Sequence, residues 1–271
     1  MRLLTDQSIY FSFKKTPELT ERIEKIQKAA DAYGFTLEKD YKKADIIVSM
    51  GDDGSFLQAV RKTKFREDCT YVGISTDAQP RLYCDFSVTD PDTIKKAVET
   101  NESIEVRRYP TLEVSVNGMS PLYCLNECSI RSSIIKTFVM DVYIDDLHFE
   151  TFRGDGLVVS TPTGSTAYNK SINGAVVDPL LPCFQVSELA SLNNNRYRTL
   201  GSSFILSNQR KLRLRIHEDG NDYPVIGLDN EAMSIQNIRT IDIALSHRTI
   251  KTVKLKNNSF WEKVKRSFLE N

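Results

Sequence analysis

The sequence predicts two regions of different class. An α/β region with a parallel sheet occupies residues 1–100 and a β-rich, β-sandwich-like region occupies residues 101–256; a last helix, 257–271, docks on a core. Three observations lead there. Before residue 100, short β-branched runs alternate with stretches at helical spacing, the pattern of a parallel sheet with covering helices. From Ile104 onward the hydrophobic period drops to two, and turn pairs separate the runs. At the end of the chain Phe260, Val264 and Phe268 lie four residues apart with Trp261 beside them, the mark of an amphipathic helix docking on a core rather than lying on a membrane. A chain of 271 residues is long enough for two such bodies.

In order, residues 9–13 are apolar and aromatic, and Thr16-Pro17-Glu18 opens a helix as an N-cap followed by proline at the first helical position. Leu19, Ile23, Ile26 and Ala30 recur at helical spacing, and Gly34 closes the helix. A strand at 46–49 runs into the turn Gly51-Asp52-Asp53-Gly54, with a helix headed by Ser55 after it. A further strand at 71–75 is followed by an irregular loop at 76–83, and Asp90-Pro91 caps a helix running through Thr100. In the second region Leu112, Val114 and Val116, then Leu212, Leu214 and Ile216, then Ile241, Ile243 and Leu245 alternate with polar residues; Asn117-Gly118, Asp145-Asp146 and Asp219-Gly220 are the turn pairs.

Composition narrows the function. Lys+Arg and Asp+Glu both number 36, so no global basic field favours nucleic acid or an anionic membrane, and a small charged metabolite fits better. No apolar run approaches the roughly 20 residues of a membrane span, and the first six residues lack a signal-peptide core, so the expected compartment is the cytoplasm. Cysteines 69, 84, 124, 128 and 183 suit free thiols in a reducing compartment; Cys124 and Cys128, placed on one face of one strand without a nearby histidine, read as buried rather than zinc-binding. His148, His217 and His247 fall outside every proposed site motif.

Three stretches carry chemistry. The turn at 51–54 places glycines and the start of a helix after a strand, where unpaired amides favour polyphosphate. Its aspartates repel phosphate unless they hold a divalent cation or take a proton from an attacking group, and phosphoryl transfer needs both jobs done. A purely polar αβ turn is the bland alternative. The stretch from Phe152 to Ser171 crowds five hydroxyl residues into the seven positions from Ser160 to Thr166, with Tyr168 after them; that inventory suits hydrogen bonding to base and ribose and stacking of a ring, against the alternative of a hydroxyl-rich hairpin. Asn126-Glu127 has the donors and acceptors for vicinal ribose hydroxyls, although such a pair alone is usually solvated. No Gly-x-Gly-x-x-Gly follows a strand, which disfavours a Rossmann dehydrogenase.

Taken together these residues resemble the NAD kinases of the compact bacterial type. That family shows a Gly-Gly-Asp-Gly turn, an Asn-Glu pair, and a Gly-Asp-Gly segment followed by Thr-Pro-x-Gly-Ser/Thr-Thr-Ala-Tyr; here they stand in order at 51–54, 126–127, 154–156 and 161–168. The resemblance implies ATP-dependent phosphorylation of the adenosine 2′-hydroxyl of NAD, with Mg²⁺ or Mn²⁺ accompanying the donor; whether polyphosphate also serves as donor is left open by the sequence. It implies that the last helix, 257–271, packs back on the first region and that the chain assembles as a homodimer or homotetramer; no nucleic-acid or membrane partner is expected from the balanced charge and the lack of an apolar span. By the same resemblance Asp53 is the catalytic carboxylate with Gly54 beside it, and Asn126 and Glu127 hold NAD. Arg153 and Asp155 reach the dinucleotide, Asp155 across a subunit contact; Thr163, Thr166, Ala167, Tyr168, Asn169, Lys170, Ser171 and Ala190 line the adenine and ribose pocket; Asp229 stands near the phosphates. No protein metal ligand is assigned.

Two positions depart from the family. Asp52 replaces the second glycine, and is expected either to tilt outward or to help hold the cation. The loop at 76–83 lacks the family's Leu-Gly-Phe segment, and Tyr83 is the nicotinamide-side contact expected from it. The rivals are a lipid or sphingoid kinase, which shares a related turn but needs an apolar acceptor site, and a sensor that binds NAD with little turnover.

Overall fold

The computed structural model describes residues 7–14, 17–77, 81–100, 102–133, 137–195, 197–217, 224–229, 231–233, 235 and 237–270. It divides into two compact units, Met1–Tyr109 with Ile250–Asn271, and Pro110–Thr249. The expected divisions at 100/101 and 256/257 lie a few residues outside these. Ile104 and Val253 both belong to the hydrophobic core of the first unit, so chain on either side of the second unit, and not the last helix alone, is built into the first.

In the first unit, β1 (Ser8–Ser12) lies between β2 (Thr36–Leu37) and β3 (Ile46–Met50), and β3 pairs with β4 (Thr70–Ser75), all in parallel. The far side of β4 is shared by β5 (Cys84–Ser87) and by Thr252, which pairs with Tyr71. All five residues of β3 are buried, as in a parallel strand covered on both faces. The first helix, α1 (Pro17–Ala32), ends because Gly34 adopts φ +86°, which lets the Phe35 amide turn back to the Ala30 carbonyl at 3.1 Å. Its expected Thr16 cap lies outside the described residues.

The helix after the acidic turn, α2 (Asp53–Lys62), begins two residues earlier than Ser55. Asp52 is its N-cap, with Oδ1 accepting from the Ser55 amide at 2.8 Å and from Ser55 Oγ at 2.7 Å. Phe56, Leu57, Ala59 and Val60 are its buried residues. The third helix, α3 (Pro91–Thr100), is capped by Asp90 as expected, with the Thr93 amide donating to Asp90 Oδ1 at 3.2 Å.

The second unit opens with β6 (Ile104–Val116), which enters it from the first, and β7 (Leu122–Cys124). The chain continues through β8 (Glu127–Ser132), β9 (Phe138–Ile144), β10 (Leu147–Gly154), β11 (Gly156–Ser160), the single-turn α4 (Tyr168–Ser171), β12 (Cys183–Leu189), β13 (Phe204–Ser207), β14 (Lys211–Ile216), β15 (Pro224–Leu228), β16 (Glu231–Met233) and β17 (Thr240–Leu255). One antiparallel sheet has the order β13-β12-β11-β8-β15-β16, and the ladder β10-β9-β14-β17 faces it. Inward residues of both, such as Val159, Phe184 and Ile226 against Met140, Leu214 and Ile243, make one core, which is the sandwich-like arrangement the alternation predicts. Asp145 takes φ +55° in the two-residue turn between β9 and β10; Asp219-Gly220 lies outside the described residues.

Two expectations are corrected. Cys124 ends β7 and Cys128 lies in β8, so they do not share a strand; all five cysteines are free and buried. The last helix, α5 (Phe260–Phe268), carries a complete Ser259–Glu262 capping box, but its buried side chain is Lys263, while Trp261 and Phe268 remain 49% and 40% exposed. No helix among the described residues is long and apolar enough to cross a membrane.

Candidate active site

In the first unit the chemistry gathers at the carboxyl ends of β3 and β4. Asp52 and Asp53 are adjacent but differently used. The Ser55 hydroxyl and amide hold the Asp52 carboxyl below its usual range, so this side chain is committed to capping α2. Its backbone is extended, φ −92° and ψ −175°, a conformation open to any residue, so the chain tolerates a side chain there. The Asp53 carboxylate receives two backbone amides, from Leu82 to Oδ2 at 2.9 Å and from Tyr83 to Oδ1 at 2.7 Å. Each oxygen keeps a second acceptor site. Tyr83 is packing material: its ring stacks on Phe56 with centroids 4.8 Å apart and meets Tyr109 edge-on at 6.0 Å, and 3% of the residue is exposed.

In the second unit the strand β8 begins at Glu127, immediately after Asn126. Both are buried, at 6% and 8% exposed, where a solvated pair would be the ordinary reading. Asp229, at φ +53°, places its carboxylate against the turn before β8, where it accepts from the Asn126 amide at 2.7 Å and the Leu125 amide at 3.0 Å. Asp229 thereby braces the Asn-Glu pair. Glu127 accepts the Tyr168 amide, but its Oε2 is buried with no hydrogen-bond partner among the described residues. Burial, and then the Asp229 charge, push its carboxyl up to about 8.

The hydroxyl-rich stretch forms a 3-10 turn, Thr163–Thr166, pressed onto Asn126: a Cβ on Gly164 would lie 2.1 Å from the Asn126 carbonyl oxygen. Its hydroxyls mostly serve the chain itself. Thr161 Oγ1 donates to the Leu125 carbonyl at 2.7 Å, Ser165 Oγ to the Pro162 carbonyl at 2.6 Å, and Thr166 Oγ1 to the Thr163 carbonyl at 3.2 Å. Asn169 is fully buried and accepts from Ser187 Oγ at 2.7 Å. Thr163, near Thr161 at 3.0 Å, belongs to the same brace; Ala167 and Tyr168 are half-buried, and Lys170 and Ser171 are exposed.

The structure therefore brings Asn126, Glu127, Thr163, Thr166 to Ser171 and Asp229 into one neighbourhood. Arg153, Asp155 and Ala190 form a second group. The Asp155 amide donates to the Leu189 carbonyl at 2.8 Å, and the Arg153 guanidinium lies over the Tyr197 ring at 4.5 Å. In the β11 register Ser160 stands opposite Glu127 while Gly156 stands opposite Leu189, so four residues of strand, about 13 Å, separate the two groups.

Residues 125–255 match the family model described as the ATP-NAD kinase C-terminal domain. Two solved structures share the fold: a yeast NADH kinase complexed with NADH, at TM-score 0.79 and 17% identity over 97% of this chain and 87% of that one, and an NAD kinase from Archaeoglobus fulgidus in complex with ATP, at TM-score 0.73 and 24% identity over 96% and 98%. The fold class is thus that of the NAD and NADH kinases. The chain is 63% identical over 268 residues to NAD kinase 2 of Bacillus subtilis (strain 168), covering 98% of this chain and all of that one. It is 60% identical over 261 residues to NAD kinase 2 of Geobacillus kaustophilus (strain HTA426), covering 96% and 97%. The chain belongs to the NAD kinase family.

Proposed function

We propose that this protein transfers the γ-phosphoryl group of ATP to the 2′-hydroxyl of the adenosine ribose of NAD, giving NADP and ADP. The observation that carries the reading is Glu127: a buried carboxyl with one unpartnered oxygen, braced through Asn126 by Asp229, is a built acceptor for the hydroxyls of a ligand.

Asp53 accepts the proton of the attacking hydroxyl. The two amides on its carboxylate fix its orientation, and its remaining lone pairs are available to the substrate. Asp52 takes the Ser55 amide, while the Asp53 and Gly54 amides ahead of it are among those a helix leaves without intrahelical partners, and they suit the donor's phosphates. A divalent cation, Mg²⁺ or Mn²⁺, bound with ATP would supply neutralisation of the donor's phosphate charge. Asp52 Oδ1 is taken up by Ser55, which supports a capping role over a cation-holding one. Asn126 and Glu127 hold NAD; the side chains of Thr163, Thr166 and Asn169 shape the pocket from within, and Tyr168 offers a ring. Arg153, Asp155 and Ala190, at the far end of β11, act on a dinucleotide bound in a homodimer or homotetramer.

The test is NADP formation from NAD, ATP and Mg²⁺, read with an NADP-specific dehydrogenase. The wild type forms NADP; Asp53→Asn loses at least a hundredfold in kcat and still binds NAD by calorimetry. Turnover retained by Asp53→Asn removes Asp53 from the role. NAD binding without NADP formation by the wild type replaces the kinase with a sensor.

A further inference from the structure

The segment Leu82-Tyr83 is gripped by charged side chains on both sides. Its two amides end on Asp53. Its two carbonyls end on lysines: Lys254 Nζ donates to the Leu82 carbonyl at 3.2 Å and to the Tyr83 carbonyl, and Lys263 Nζ donates to the Leu82 carbonyl at 3.0 Å. Both ammoniums converge on Asp85, whose Oδ1 is 3.2 Å from Lys254 Nζ and in contact with Lys263 Nζ. The three side chains are 0% exposed for Lys254 and Asp85 and 2% for Lys263. On the other face of the segment β4 comes so close that a Cβ on Gly73 would lie 2.7 Å from the Tyr83 carbonyl oxygen.

Two ammoniums around one buried carboxylate is a costly way to dock a helix, and a leucine on the same stripe of α5 would do it more simply. The extra ammonium does what a leucine cannot, because its hydrogen bond reaches the backbone that orients Asp53. We infer that Lys254 and Lys263 are positioning residues for the catalytic carboxylate, so that the seating of α5 sets the orientation of Asp53 through the Leu82-Tyr83 peptide. This inference rests on Asp53 being the base, as proposed above. Lys254, on β17, supplies the charge that keeps Asp85 ionised; Lys263 adds the helix to the same linkage.

The variant to make is Lys263→Met. It leaves Lys254 and Asp85 as a one-to-one pair and so keeps the fold, while the Leu82 carbonyl loses a donor. Val264→Ala, on the same helix and half-buried, is the control for simple loss of helix packing. Lys263→Met is expected to lower kcat at least tenfold with KM for NAD and for ATP within twofold, and to speed hydrogen exchange of the Leu82 and Tyr83 amides at least tenfold; Val264→Ala does neither. Should Lys263→Met not fold, Lys263→Gln is read in the same two ways. An unchanged kcat, or an equal kcat loss in Val264→Ala at matched Tm, overturns the inference. If the wild type forms no NADP the kinase reading fails separately, and amide exchange then decides: protection of Leu82 and Tyr83 unchanged by the substitution overturns the linkage.

Discussion

Replacing Glu127 by glutamine should make the protein more stable at high pH, by an amount that follows from the burial of this side chain. The ordinary glutamate value is 4.5, and burial beside Asp229 moves Glu127 up to about 8. Between those values the unfolded chain has released the proton while the folded chain retains it. The folded state therefore binds more protons, and wild-type stability falls as pH rises through that window; below it both states are protonated and the effect vanishes. At about 1.4 kcal/mol per pH unit, raising the pH from 5 to 8 costs the wild type on the order of 4 kcal/mol that Glu127→Gln does not lose. For a chain of this size that is roughly 10 °C in Tm. Glutamine can still accept the Tyr168 amide, whereas its NH₂ faces a site built around an acceptor, an offset that is the same at every pH. The assay is Tm against pH for both proteins without nucleotide. The Tm difference between Glu127→Gln and the wild type should widen steadily from pH 5 to pH 8 and then level off. Parallel curves would refute the assignment of Glu127 as a buried, protonated carboxyl. Glu127→Gln should also bind NAD at least tenfold more weakly, because the carboxylate that a ligand's hydroxyls draw on offers acceptors at both oxygens, where glutamine presents an NH₂ donor at one.

Two further substitutions probe the backbone around each half of the site. Asp52→Ala removes the cap of α2 and should cost about 1 kcal/mol, while Asp52→Gly costs only a few tenths, both read from urea midpoints; equal midpoints for Asp52→Ala and the wild type would show that the Ser55 contacts do not stabilise the helix. Gly164→Ala drives a methyl group into the Asn126 carbonyl, 2.1 Å from where the Cβ would stand, and should weaken NAD binding more than tenfold with the circular-dichroism spectrum unchanged. An unaltered Kd would separate the 3-10 turn from the NAD site.

What the sequence made legible is what local rules govern. The glycine-aspartate turn, the Asp90 cap, the Gly34 helix end and the alternation in β14 each depend on residues within a few positions of one another, and each is present as expected. Residues whose meaning lies in a distant partner were not legible. Asn126-Glu127 looks like a surface pair until Asp229, 103 residues from Asn126, closes on the turn before β8 and buries it. The hydroxyls from Ser160 to Thr166 looked like ligand contacts by composition alone. Hydroxyls also satisfy carbonyls in a buried turn, and nothing within the stretch distinguishes the two uses.

The last helix shows the same division most sharply. Periodicity counts apolar positions, so it located α5 and its capping box but assigned the docking face to Phe260, Val264 and Phe268. Lys263 is three residues from Phe260 and therefore on the same stripe, where a lysine reads as an interruption. Its partner Asp85 is 178 residues away on β5 and looks equally out of place between Cys84 and Phe86. Each charge is anomalous where it stands, and the anomalies cancel only when the strand and the helix meet. Burial, joined by the neighbouring Lys254 charge, pushes Lys263 down to about 7, while those two lysine charges outweigh burial to hold Asp85 below its usual range. A cluster balanced that closely sits one peptide away from Asp53. The charges that interrupt the sequence pattern are thus the ones tied, through the Leu82-Tyr83 peptide, to the Asp53 carboxylate.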